Sequence, residues 1–137
     1  MNVIDASVAI KLLKFTEEGV DRAKMLLRDH LTKVSRITVP SLLYIEVANA
    51  LVTKSVYTSE DIEELLDLLN SFDFVIHSFT KKNLVDAAQL SKQYKTSVYD
   101  MLYAVVAKEH GCSLITSDEI FFKKTKFPFV QLLDTRV

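Results

Sequence analysis

The chain has 137 residues, 49% hydrophobic and 26% charged, with 17 basic against 18 acidic residues and a net charge of −1. That length suits one ordinary domain over residues 1–137 with a continuous core, and the composition excludes a disordered or fibrous chain while giving no bulk charge that advertises nucleic-acid binding. No apolar run approaches the ~18 residues of a membrane-spanning helix, and no basic-then-apolar leader precedes Asp5, so a cytoplasmic protein without membrane association is expected.

Asn2-Val-Ile4 is a β-rich run that stops on an acid, Asp5, and Ser7 to Lys14 then has helical composition. Glu17 to Leu31 places Val20, Ala23, Leu27 and Leu31 on one helical face. Ser35 to Val39 alternates as a strand does, and Pro40-Ser41 opens a third helix running through Ser55, with Glu46 inside it. Thr58 or Ser59 caps a fourth helix with the stripe Ile62, Leu65, Leu66 and Leu69, and Phe74 to His77 reads as a third strand. Thr80 caps a fifth helix to about Tyr94. Ser97-Val-Tyr-Asp100 has the form of a capping box before a helix that stops at Gly111. Cys112, the only cysteine, excludes an intramolecular disulfide and a cysteine zinc site and reads as a small buried strand residue. A strand from Ser113 to Thr116, a short helix around Phe121 and a last strand from Phe129 to Leu133 complete the chain. Helices between successive strands predict an α/β domain with a mainly parallel sheet covered on both faces.

Asp5 and Asp118 both follow strands, and in an open parallel sheet ligands bind outside the strand carboxyl ends, where the strand order reverses. Glu46 is the one acid in the apolar run from Ser41 to Val52, which leaves little solvent-facing stripe, and Asp100 sits between Tyr99 and Met101-Leu102. Carboxylates gathered together repel one another, and some must bind protons more tightly unless a cation joins them. An all-oxygen donor set suits magnesium or manganese rather than zinc or copper. In phosphodiester hydrolysis such ions activate water and neutralise the phosphate.

Four blocks in order carry a resemblance: Asp5-Ala-Ser7-Val-Ala-Ile-Lys11, Val-Pro-Ser-Leu-Leu-Tyr-Ile-Glu46-Val-Ala-Asn49, Tyr99-Asp100-Met-Leu-Tyr103, and Leu-Ile-Thr116-Ser-Asp118. Together they resemble the PIN domain, in particular the small toxin ribonucleases of VapBC toxin–antitoxin systems. The resemblance implies a three-layer α/β/α fold with a five-stranded parallel sheet and Mg2+- or Mn2+-dependent cleavage of RNA. It places metal ligation and catalysis on Asp5, Glu46, Asp100 and Asp118, with Ser7, Asn49 and Thr116 as supporting polar groups. It further implies a homodimer and a small VapB-like antitoxin whose C-terminal segment covers the acidic groove.

Lys11, Lys123, Lys124 and Lys126 are candidate contacts for an RNA backbone, against the plainer reading of solvated lysines. Glu119 reads as favourable charge at a helix start. Tyr99 and Tyr103 read as packing residues rather than base-stacking platforms. His30, His77 and His110 share no ligand spacing and receive no catalytic role. The alternatives are a housekeeping PIN nuclease of RNA processing and a non-catalytic PIN-fold interaction module. A phosphoacceptor domain would place adjacent acids after the first strand, where this chain has Ala6 and Ser7.

Overall fold

The computed structural model describes residues 1–14, 20–54 and 56–134. Strands and helices follow in the order β1 (Asn2–Ile4), α1 (Ala6–Leu13), α2 (Val20–Leu31), β2 (Ile37–Pro40), α3 (Leu42–Thr53) and α4 (Ser59–Ser71). The rest are β3 (Val75–His77), α5 (Lys81–Tyr94), α6 (Val98–Glu109), β4 (Ser113–Thr116), α7 (Glu119–Thr125) and β5 (Val130–Leu132).

All strand pairs are parallel, in the order β3-β2-β1-β4-β5. The chain starts in the middle, builds outward to β3, then returns to build β4 and β5 on the other side of β1. The order therefore reverses between β1 and β4, which pair Val3 with Leu114 and Ile4 with Ile115. This is the switch point at which ligand crevices open, and Asp5 and Asp118 follow the two strands that form it.

The helices start where local chemistry says they should. Thr58 and Thr80 each accept from the backbone N–H three residues on, and the side chains of Asp61 and Asn83 return to the cap N–H, closing a capping box on α4 and α5. Helices α1, α2, α3 and α4 pack on one another on one side of the sheet, and α6 crosses β1, β2 and β4 with α5 packed against it. Helix α6 is buried from Met101 to Ala107, and β2 is buried along its whole length. An apolar helix with no wet face is the expected sequence signature of such a central position. The result is the three-layer α/β/α architecture around a five-stranded parallel sheet.

His30 is fully buried and fastens the layers: its Nδ1 accepts the Ile37 N–H at 2.9 Å and its Nε2 donates to the Phe72 carbonyl at 2.9 Å. It ties α2 to the start of β2 and to the end of α4.

Some expectations change. Leu31 is 53% exposed, because α2 ends there and the chain turns away. Ile45 and Val52 on α3 are 69% and 65% exposed, so this apolar helix is buried on only one side. Cys112 lies one residue before β4 and is only half-buried. The expected helix start at Glu17 and helix end at Ser55 lie outside the described residues.

Candidate metal centre

Asp5 ends β1 and caps α1, its Oδ1 accepting the Val8 N–H at 3.3 Å. The Ser7 hydroxyl donates to the same oxygen at 2.5 Å, and the Thr116 hydroxyl, arriving from the end of β4, donates to Oδ2. Both donors are held in turn: Ser7 Oγ accepts the Ser117 N–H at 3.0 Å and Thr116 Oγ1 accepts the Asp118 N–H at 3.0 Å. One network therefore spans the switch point and fixes the plane of the Asp5 carboxylate.

Asp118 caps α7 through the Phe121 N–H at 3.0 Å. Asp100 stands in the first turn of α6, where Ser97 Oγ accepts its backbone N–H at 3.0 Å. Only that half of the expected capping box forms, so the Asp100 carboxylate is not spent on the Ser97 backbone. Glu46 sits one turn into α3, and the Tyr103 hydroxyl donates to its Oε1 at 2.5 Å.

The electrostatics show which acids feel one another. Burial lifts the Asp5 carboxyl from 3.8 to about 6 against the lowering effect of Ser7, Thr116 and Val8, and the Asp100 charge adds to the rise. Burial raises Glu46, again with help from Asp100. Burial raises Asp100 too, and the charge of Asp118 adds to it. Asp100 is thus the hub through which all four acids couple. Tyr103 is pushed upward by its burial and by the charges of Glu46, Asp5 and Asp100, which keeps it a donor.

This donor set fits a divalent ion. Asp100 senses the charge of Asp118 and is sensed by Asp5 and Glu46, and burial displaces Asp5, Glu46 and Asp100 upward, a state that a bound cation would relieve. The Ser117 hydroxyl is buried next to the network with no protein partner among the described residues. The N-terminal ends of α1 and α6 also favour negative charge here. No histidine or cysteine takes part, so hard, oxygen-seeking ions are the match.

The supporting residues divide. Ser7 and Thr116 touch Asp5 directly. Asn49 lies three residues after Glu46 on α3, on the same helical face, and is exposed. Lys11 approaches the Asp134 carboxylate at 3.7 Å. Lys123, Lys124 and Lys126 are exposed at the opposite end of α7 from Asp118, and Lys124 donates to the Lys95 carbonyl at 2.8 Å. Glu119 is exposed in the first turn of α7.

Tyr103 was not legible as a site residue. Its hydroxyl in an apolar helix called for a partner, and its place three residues after Asp100 put both on one face, but only the folded chain brings Glu46 of α3 within its reach.

Residues 3–128 match the PIN domain family profile. The chain belongs to the PIN domain family. Solved structures repeat the fold at low identity. One is PAE2754 from Pyrobaculum aerophilum, at TM-score 0.73 and 19% identity, covering 97% of this chain and 90% of that one. A toxin–antitoxin complex from Klebsiella pneumoniae aligns at TM-score 0.69 and 17% identity, covering 99% and 100%. VapC20 from Mycobacterium tuberculosis, a toxin that cleaves the sarcin–ricin loop, aligns at TM-score 0.68 and 14% identity, covering 91% and 95%. No curated protein sequence matches significantly. This PIN domain therefore shares its backbone architecture with VapC toxins while differing from them at most positions.

Proposed function

We propose that this PIN domain is a metal-dependent endoribonuclease and the toxin of a toxin–antitoxin pair, with Asp5, Glu46, Asp100 and Asp118 as its metal-binding and catalytic acids. The observation that carries the reading is Asp5 at the β1/β4 switch point, both its oxygens held by hydroxyl donors and its charge coupled to Asp100, which in turn couples to Glu46 and Asp118. Similar folds in a Klebsiella toxin–antitoxin complex and in VapC20 support the toxin assignment.

Bound by these acids, Mg2+ or Mn2+ would activate water and neutralise charge on the scissile phosphate. The protein's own work is positioning. Ser7 and Thr116 aim Asp5 and favour its ionised form, and Tyr103 does the same for Glu46. Asp100, coupled to the other acids, would set the negative potential that holds such an ion. The half-buried setting strengthens each of these charge interactions relative to bulk water.

The substrate is RNA in this reading, and a small VapB-like antitoxin holds the enzyme inactive. The exposed Ile45 and Val52 on α3, the helix that carries Glu46, would give a partner segment apolar surface. A homodimer follows from the family resemblance.

Expression of the chain in a bacterial host tests the toxin role. Growth arrest with loss of intact RNA is the expected result, abolished by Asp118→Asn. Normal growth with soluble, folded protein accumulating would argue for a PIN domain with another task.

A further inference from the structure

We propose that His77, Glu109 and His110 form a second cation site, separate from the four-acid centre, that takes a borderline transition-metal ion of the Zn2+ class. One ligand atom from each lies within 4.8 Å of those of the other two. His77 ends β3, an edge strand of the sheet, while Glu109 ends α6 and His110 caps it. The trio shares no residue with the switch-point cluster, and β3 stands two strands, roughly 10 Å, from β1.

The His77 ring is set for ligation. Its Nε2 lies 3.0 Å from Asn83 Oδ1, and that same oxygen accepts the Thr80 N–H at 3.1 Å in the α5 capping box. An amide oxygen accepts only, so Nε2 carries the hydrogen and Nδ1 presents its lone pair outward. Asn83 is 2% exposed, which makes it a fixed outer partner of the kind that orients metal-binding histidines.

The lone pair of Nδ1 faces His110 Nε2 at 3.0 Å, a gap that a hydrogen on His110 fills when no ion is present. A tetrahedral Zn2+ with both nitrogens at roughly 2.0–2.1 Å would set them about 3.4 Å apart. An opening of a few tenths of an ångström thus turns the contact into a ligand pair, the His110 hydrogen moving to its own Nδ1. Glu109, with its carboxylate 3.2 Å from His77 Nε2 and its side chain 46% exposed, has room to turn and supply the third ligand.

Two imidazoles and one carboxylate select an ion of the zinc class over magnesium, which takes oxygen. Three protein ligands leave a fourth position for water or another ligand, and Glu109 with Asn83 and Lys108 also lines the neighbouring groove between α5 and α6. The ion would fasten β3, whose Val75 and Ile76 are 41% and 55% exposed, to the end of the central helix. Binding to the folded state alone raises stability by mass action.

Calorimetric titration of the whole chain with ZnCl2 in excess Mg2+, with melting curves alongside, tests the site. His110→Ala and Glu109→Gln change exposed positions, and circular dichroism checks their folding. Wild type is expected to take up one equivalent of Zn2+ and to melt higher with it. His110→Ala is expected to bind more weakly by at least the roughly 10–100-fold that loss of an outer partner costs, and to show no rise in Tm. Co2+ should give a visible absorption band in wild type that His110→Ala lacks. Equal uptake and equal Tm response in wild type and His110→Ala would overturn the proposal, as would no uptake by wild type. An equivalent lost in Asp100→Asn but kept in His110→Ala belongs to the acidic centre and overturns it as well.

Discussion

The Tyr103 hydroxyl donates to Oε1 of Glu46 at 2.5 Å, joining the central helix α6 to α3. That bond favours the ionised form of Glu46, whose carboxyl burial otherwise raises. Tyr103→Phe removes the donor and leaves no buried group of its own unpaired. It should fold normally, weaken Mn2+ binding and cleavage by about 10–100-fold, and move the acid limb of the pH–rate profile upward. Measuring that profile in both proteins separates this outcome from a purely structural effect, which would leave the limb in place.

Asp5 sets the sign of the pH dependence of the metal-free protein. Its native carboxyl, raised from 3.8 to about 6, binds a proton more tightly than the unfolded chain does. Its contribution to stability is therefore complete below pH 3.8 and lost as pH rises through about 6, with Glu46 and Asp100 acting in the same direction. In EDTA, Asp5→Asn should be the more stable protein at pH 7, by up to about 3 kcal/mol. Adding Mn2+ should stabilise wild type and leave the variant nearly unchanged. Denaturant melts at pH 5 and pH 7 check both statements.

Ser7 and Thr116 hold opposite oxygens of the same carboxylate. Ser7→Ala and Thr116→Val should each lower metal affinity by about 10–100-fold. Because the two act on one group, the double variant should depart from additivity by roughly 0.5 kcal/mol or more. A complete double-mutant cycle on Mn2+ binding reads the coupling.

Lys95 ends α5 in the left-handed conformation, with φ 58°. Glycine adopts that backbone without the Cβ clash, so Lys95→Gly should stabilise the fold by up to about 1 kcal/mol. Lys124 bonds the Lys95 carbonyl, which the substitution keeps. A higher midpoint in urea with unchanged cooperativity is the expected result.

The places of Asp5 and Asp118 at the β1/β4 switch point were legible because each follows the carboxyl end of a strand, where parallel topology opens ligand crevices. Glu46 stood out as an acid in an apolar helix, and Asp100 through its place after Ser97. What stayed hidden depended on packing between elements. Helical spacing put Tyr103 on the face of Asp100 but could not name Glu46 as its partner. The exposure of Ile45 and Val52 was hidden for the same reason, since an apolar helix reads as buried all round. His77 and His110, with no ligand spacing between them, meet only because β3 lies beside the end of α6, and this brings Glu109 to them. Lys11 reads in sequence as a helix lysine near Asp5, while its approach to Asp134 is a contact with the far end of the chain.

Metal-dependent RNA cleavage by the four acids is tested most directly by incubating the purified chain with single-stranded and structured RNAs in Mg2+, Mn2+ or EDTA, beside Asp100→Asn. The expected result is cleavage with either ion, none in EDTA, and a loss of at least about 10²-fold in the variant. Cleavage that persists in EDTA or in Asp100→Asn, or none by folded wild type that binds Mn2+, would contradict it.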